Sequence, residues 1–255
     1  MAALDFMVIM REERAKARAA RDCVAASPAK ALAGPSTRAP AEAGEPEASE
    51  SRFRLAAGPP REVLGESSVV HGAPPTVWHM RDWVSADEEA AMLRAADDAP
   101  ASQWTSLRGR RLQNMGGVPR PAPDVMVQEP IPGWVRSVFD ALVAAGVFDA
   151  AAPPNHALLN EYQPGQGIGP HRDGPLYEPT VAIISLGSPC SFEFLANDTQ
   201  RAPLASLLLP ARGLLVFRHA AYHEHLHTVP AVETDAGRAG LIRLDLDSGV
   251  LHCRL

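Results

Sequence analysis

Cysteine is scarce in this chain of 255 residues: Cys23, Cys190 and Cys253 are widely spaced and odd in number. That excludes a disulfide framework and a cysteine-based zinc site, and reduced thiols suit an intracellular compartment. Long apolar runs are missing as well. No stretch approaches the ~20 residues that a membrane-spanning helix needs, and LDFMVIM near the start is too short for a signal peptide and lacks its flanks. Aromatic residues make up only 5% of the chain, and few of them fall in residues 1–73, which are crowded with Ala, Pro, Glu and Arg. Such a segment cannot bury enough apolar surface to offset its conformational entropy. Residues 1–73 are therefore expected to be a disordered N-terminal segment, and residues 74–255 one folded domain with a single core. Arg14, Lys16, Arg18 and Arg21 among alanines also fit an organellar targeting segment, but Asp5, Glu12, Glu13 and Asp22 are unusual in one. A short charged helix in a tail is the simpler reading.

Acidic residues dominate overall, giving a formal charge of -6, yet none occurs from Ala101 to Ala122. That stretch instead carries Arg108, Arg110, Arg111 and Arg120 beside Trp104. Two readings stand. In one, Arg108, Arg110 and Arg111 lie along the phosphates of a single-stranded nucleic acid while Trp104 stacks on a base. In the other, Arg110 and Arg111 make structural ion pairs and Trp104 anchors a loop, since an acidic protein is a poor general binder of nucleic acid.

What is present reads as a mostly β domain with supporting helices. Ser85 with Glu88 matches a capping box and predicts a helix start, with Ala90, Leu93 and Ala96 as its apolar stripe. A second helix is expected from Pro132, with Trp134, Val138, Leu142 and Val143 on one side, ending by Gly146. Short strands follow at HALLNEY, TVAIISL, SFEFL, ASLLLP, GLLVF and GLIRLDL, separated by Gly and Pro. This pattern predicts a double-sheet jelly roll, a double-stranded β-helix.

The chemistry concentrates between Asn155 and Gly187. His171 and Asp173 are two residues apart, so on an extended segment both project to one face and can reach one ion. Two histidines and a carboxylate would leave adjacent positions on Fe(II) open; the second histidine has candidates at His223, His225 and His227. Their alternate spacing does not choose among them. His-Arg-Asp also occurs in kinase catalytic loops, but no asparagine follows five residues after Asp173, and the glycine-rich loop and Asp-Phe-Gly are missing. Asn160 and Tyr162 share a face, with Glu161 pointing away. The turn QPGQGIGP can then reverse the chain and deliver His171 to the open end of the sandwich.

The run NHALLNEYQPGQGIGPHRDGPLYEPTVAIISLGS, the earlier WTSLRGRRLQNMGGVPRP and the later LLLPARGLLVFRHAAYHEHLHTV closely resemble the AlkB-like Fe(II)/2-oxoglutarate-dependent dioxygenases, in particular the subfamily of the sixth AlkB homologue. The resemblance implies that His171, Asp173 and His227 are iron ligands and that Asn160 and Tyr162 contact 2-oxoglutarate. It also implies that the arginine-rich stretch belongs to a nucleotide-recognition lid. Family members end on a strand with two arginines six apart that grip the cosubstrate carboxylates. Here Arg238 and Arg243 are five apart, which on a regular strand turns the second to the other face, and Arg254 is a distant substitute. The implied reaction is oxidative: 2-oxoglutarate is decarboxylated to succinate, and a substrate N-methyl group is hydroxylated and released as formaldehyde. An alkylated or single-stranded nucleic acid is the implied partner, with a protein hydroxylase or a binding module with a weakened active site as rivals. A monomer in the cytoplasm or nucleus, free of membrane, is expected.

Overall fold

The computed structural model describes residues 55, 61–121, 124–174, 177–233 and 252–253. Thirteen strands are defined among them. They are β1 (Val77–Met80), β2 (Thr105–Ser106), β3 (Arg111–Met115), β4 (Gly117–Pro121), β5 (Asp124–Gln128), β6 (Ala157–Glu161) and β7 (Ile168–His171), followed by β8 (Thr180–Leu186), β9 (Cys190–Ala196), β10 (Pro203–Leu209), β11 (Leu214–Arg218), β12 (His225–Val229) and β13 (His252–Cys253). Three helices join them: α1 (Ala86–Asp97), α2 (Gly133–Ala144) and the single turn α3 (Ala220–His223). The strands form a seven-stranded sheet in the order β1-β11-β8-β13-β6-β3-β2, a four-stranded sheet β10-β9-β12-β7, and a separate ribbon β4-β5. This is the expected mostly β jelly roll.

Two apolar layers account for the stacking. Strands β8 and β11 are buried on both faces, so they read as continuous apolar runs rather than alternating ones. Ile183, Leu215 and Phe217 join Phe192, Phe194 and Leu207 in the layer between the sheets. Ala182, Ile184, Leu214 and Val216 turn the other way, against Met92 of α1 and Trp134, Val138 and Leu142 of α2.

The helices start and stop where local chemistry puts them. The Ser85 hydroxyl accepts from the Glu88 amide at 3.2 Å, and the Glu88 carboxylate accepts from the Ser85 amide at 2.8 Å, completing the capping box. The buried line of α1 is Glu88, Met92 and Ala96, so the stripe lies one step round from Ala90 and Leu93, which are only partly buried. Pro132 caps α2 from just outside rather than occupying its first helical position. The helix ends at Ala144, and Gly146, whose φ of +73° lies in the left-handed region, permits the closing hydrogen bonds from Gly146 to Val143 and from Val147 to Leu142.

Two expectations need correction. The boundary near residue 74 falls too late, because Arg61 pairs with Glu88 at 2.5 Å, the Leu64 amide bonds the Ala145 carbonyl and Val70 is buried. Residues 1–54 and 56–60 lie outside the described residues. The described part of the arginine-rich stretch, residues 101–121, is largely strand rather than loop: β3 runs antiparallel to β6 with Leu112 opposite Asn160, and β4 leads into the ribbon. The strand expected at GLIRLDL, with Arg238 and Arg243, lies outside the described residues, as does Arg254. The described strand nearest the end of the chain is β13, parallel to both β6 and β8.

Candidate metal centre

Antiparallel pairing of β12 with β7 sets His227 directly across from His171, while the other edge of β12 sets His227 opposite Phe194. Asp173 follows His171 just past the strand end. Its Oδ1 lies 3.9 Å from His171 Nε2 and 3.8 Å from His227 Nε2, and the three ligand atoms lie within 4.8 Å of one another. Small side-chain adjustments bring such a set onto one ion at bond lengths of roughly 2.0–2.2 Å.

Both histidines are held in the form a metal requires. His171 is 3% and His227 7% exposed. Burial lowers the His171 pKa to about 3, with the neighbouring His227 acting in the same direction and Asp173 opposing it. Burial alone lowers His227 to about 4, where its ring stacks on Phe192 at 5.7 Å and tilts against Phe217 at 5.1 Å. Neutral imidazoles are the ligating species. The His171 Nδ1–H donates to the Gly169 carbonyl at 2.8 Å, which leaves Nε2 with its lone pair facing Asp173 and fixes the ring orientation. Two imidazole nitrogens and a carboxylate suit Fe(II), so the residues present fit an iron ion.

The other two histidines of the cluster stand apart. His223 ends α3 and is exposed, its carbonyl accepting from Arg172 at 2.9 Å. His225 opens β12, and its Nδ1–H donates to the Ala220 carbonyl at 3.0 Å. The helical turn takes His223 off the strand, while His225 keeps the parity of His227 but stands at the start of β12, opposite Ala196 rather than His171.

The centre opens on a cavity of about 160 Å³ that Asn160, Tyr162, His156 and Tyr177 also line. Asn160 is 4% and Tyr162 1% exposed, on the same face of β6 and its continuation. Sequence reasoning missed His156 and Tyr177, whose rings lie 5.5 Å apart; the even spacing of His156 from Asn160 and Tyr162 was the available signal.

Arg110 requires the main correction among the residues expected to touch nucleic acid. It is 1% exposed, and its Nε–H donates to Asn160 Oδ1 at 2.9 Å, so it cannot lie along a phosphate backbone. Arg110 has the same parity as Leu112, which faces Asn160, and both therefore point into the sandwich. Arg111 points the other way, where it pairs with Glu161 and sits 4.0 Å over the Trp104 ring. Arg108 is exposed.

The chain is similar to several known proteins. A zebrafish protein (Danio rerio) named "Probable RNA/DNA demethylase ALKBH6" is 40% identical over 185 residues, covering 69% of this chain and 78% of its own. The Xenopus tropicalis protein named "tRNA (carboxymethyluridine(34)-5-O)-methyltransferase alkbh8" is 29% identical over 163 residues, 61% of this chain but 24% of its own. Among solved structures, that of OsALKBH1 superposes with a TM-score of 0.49 at 18% identity, covering 64% of this chain and 89% of that one. The profile of the 2OG-Fe(II) oxygenase superfamily matches residues 103–255, a span that holds both histidines and the aspartate, and the chain belongs to that superfamily of dioxygenases.

Proposed function

We propose that this dioxygenase oxidatively demethylates an alkylated nucleic acid, RNA or DNA, with His171, Asp173 and His227 as the iron ligands. The observation that carries the reading is the meeting of these three side chains with Asn160 and Tyr162 at one cavity, in a chain 40% identical to a relative named for RNA/DNA demethylation.

When bound, Fe(II) with 2-oxoglutarate and dioxygen supplies the oxidation, releasing succinate and carbon dioxide and placing one oxygen atom on a substrate C–H bond. The protein's residues hold, orient and exclude. The neutral imidazoles and Asp173 would hold the ion, and the cavity beside them would take cosubstrate and substrate. Phe192 and Phe217 keep water from His227. Asn160 and Tyr162 present donors to the cosubstrate, with Arg238 as the first further partner for its carboxylates and Arg243 the alternative where a bulge restores it to that face. An N-methyl group hydroxylated here leaves as formaldehyde, restoring the unmodified base.

Arg108 and the solvent-facing part of Arg111 are the contacts we assign to a nucleic acid strand, with Trp104 at their base. No helix among the described residues is long and apolar enough to cross a membrane, and we take the compartment to be one that holds nucleic acid, the cytoplasm or nucleus. The test is succinate and formaldehyde release from methylated RNA, DNA and peptide, each with Fe(II), ascorbate and oxygen. Formaldehyde in step with succinate on an oligonucleotide is expected; release from the peptide alone would transfer the protein to the class of protein demethylases.

A further inference from the structure

Arg110 reaches the interior by an unusual route. The turn Leu107–Arg110 is closed by a 2.8 Å hydrogen bond from the Leu107 amide to the Arg110 carbonyl. Its Gly109 carbonyl accepts from the Gly167 amide at 3.0 Å, in the loop that leads to β7 and His171. A Cβ on Gly109 would lie 2.4 Å from the Gly167 carbonyl oxygen, so only glycine permits this backbone-to-backbone docking. The docked turn drives the next residue, Arg110, under the sheet.

The contact with Asn160 has a chemical consequence. An arginine Nε–H is a donor only, so the atom it meets must be the carboxamide oxygen of Asn160. The arginine donor thus fixes which way the Asn160 amide is turned. With Oδ1 turned to Arg110, the two Nδ2–H donors are on the other branch of the Asn160 amide, and Asn160 lines the cavity that holds the metal ligands. A carboxylate accepts hydrogen bonds and donates none. The opposite amide orientation would set oxygen against oxygen.

We propose that Arg110 is a positioning residue for the cosubstrate: it locks Asn160 with its NH₂ group as a donor for a 2-oxoglutarate carboxylate. This rests on the reading of Asn160 as a cosubstrate contact. Arg110 acts through Asn160 and does not itself line the cavity. The role is separate from that of the arginines near residue 240.

The full-length protein is loaded with Mn(II) in place of Fe(II), and 2-oxoglutarate binding is measured by calorimetry, with Mn(II) affinity and thermal unfolding recorded for each variant. Arg110→Met is expected to weaken 2-oxoglutarate binding roughly 10- to 100-fold, the value of one hydrogen bond to a charged group, and to leave Mn(II) affinity within about threefold. Arg110→Lys restores part of the loss. Asn160→Asp keeps an acceptor for Arg110 and hence the fold, but removes both Nδ2 donors, and loses 2-oxoglutarate binding to at least the same degree. In an Asn160→Ala background, Arg110→Met has little further effect, a coupling that a merely structural arginine would not produce. Should Arg110→Met fail to fold, Arg110→Lys and Asn160→Asp decide the matter. Wild-type affinity in folded, Mn(II)-loaded Arg110→Met or Asn160→Asp overturns the proposal while the function stands. A wild type that binds Mn(II) but no 2-oxoglutarate overturns the cosubstrate reading, and this proposal with it.

Discussion

The four-stranded sheet and the segment from Trp104 to Gln113 both cluster ionisable residues, and the fold treats them in opposite ways. In the first, His171 and Asp173 are two apart and His227 faces His171 across the ladder, so backbone pairing converges all three. In the second, Arg110 and Arg111 are adjacent, so the same pleat sends one inward to Asn160 and the other outward to Glu161. Even spacing builds a site, and odd spacing divides one. A run of like charges in a sequence is thus poor grounds for a common surface when the run enters a strand.

The largest effect that would test this contrast is on metal binding. His227→Ala should weaken Mn(II) affinity more than about 100-fold, exceeding the 10- to 100-fold typical of losing an outer partner of a metal ligand. His225→Ala, two residues back on the same strand, should stay within about threefold. Calorimetric titration separates the two, and normal binding by His227→Ala alongside loss in His225→Ala would mean that the strand register is wrong.

A smaller effect is expected where the two regions touch. Gly109→Ala forces a Cβ against the Gly167 carbonyl and should cost about 1–3 kcal/mol, lowering the melting temperature by several degrees. Gly133→Ala, whose Cβ would meet nothing within 4 Å, is the control and should leave the melting temperature unchanged or slightly raised. Equal melting of the two variants would show that the turn does not dock on the β7 loop.

The smallest effects on stability belong to the arginines at the surface of this segment, Arg111 and then Arg108. The Arg111 side chain is 38% exposed but Glu161 is only 6% exposed, so Arg111→Ala leaves a buried carboxylate with the Gln163 amide at 3.1 Å and without its cation, and should cost about 1–2 kcal/mol. Arg108→Ala should cost nothing measurable in unfolding experiments. If both meet phosphates, the double variant should bind single-stranded oligonucleotides more weakly, with a shallower dependence of log affinity on log salt by roughly one to two units. An unchanged slope would leave Arg111 as a structural partner of Trp104 and Glu161 alone.

How much was legible follows the range of the interactions. The capping box at Ser85 and the stop at Gly146 were readable because each depends on a few consecutive residues. The pairs His171 with Asp173 and Asn160 with Tyr162 were readable because strand parity is a local property. His227 was selected by family likeness, since spacing alone left three candidates. The α3 turn that removes His223 has no strong local signal: Ala220–His223 is too short to show a helical period. The packing of residues 61–73 was hidden because composition describes averages, whereas Arg61 and Val70 are held by particular partners in α1 and β1.

The sequence by itself determined the apolar alternation and runs that make two sheets, the helix ends, and the placing of a carboxylate two residues after a histidine. These follow from backbone geometry and side-chain chemistry over a few residues. Tertiary structure alone decided which histidine meets that pair and which arginine enters the core. The first choice rests on the register of β12 against β7 and β9, the second on that of β3 against β6, and a slip of one residue in either would turn every side chain to the other face.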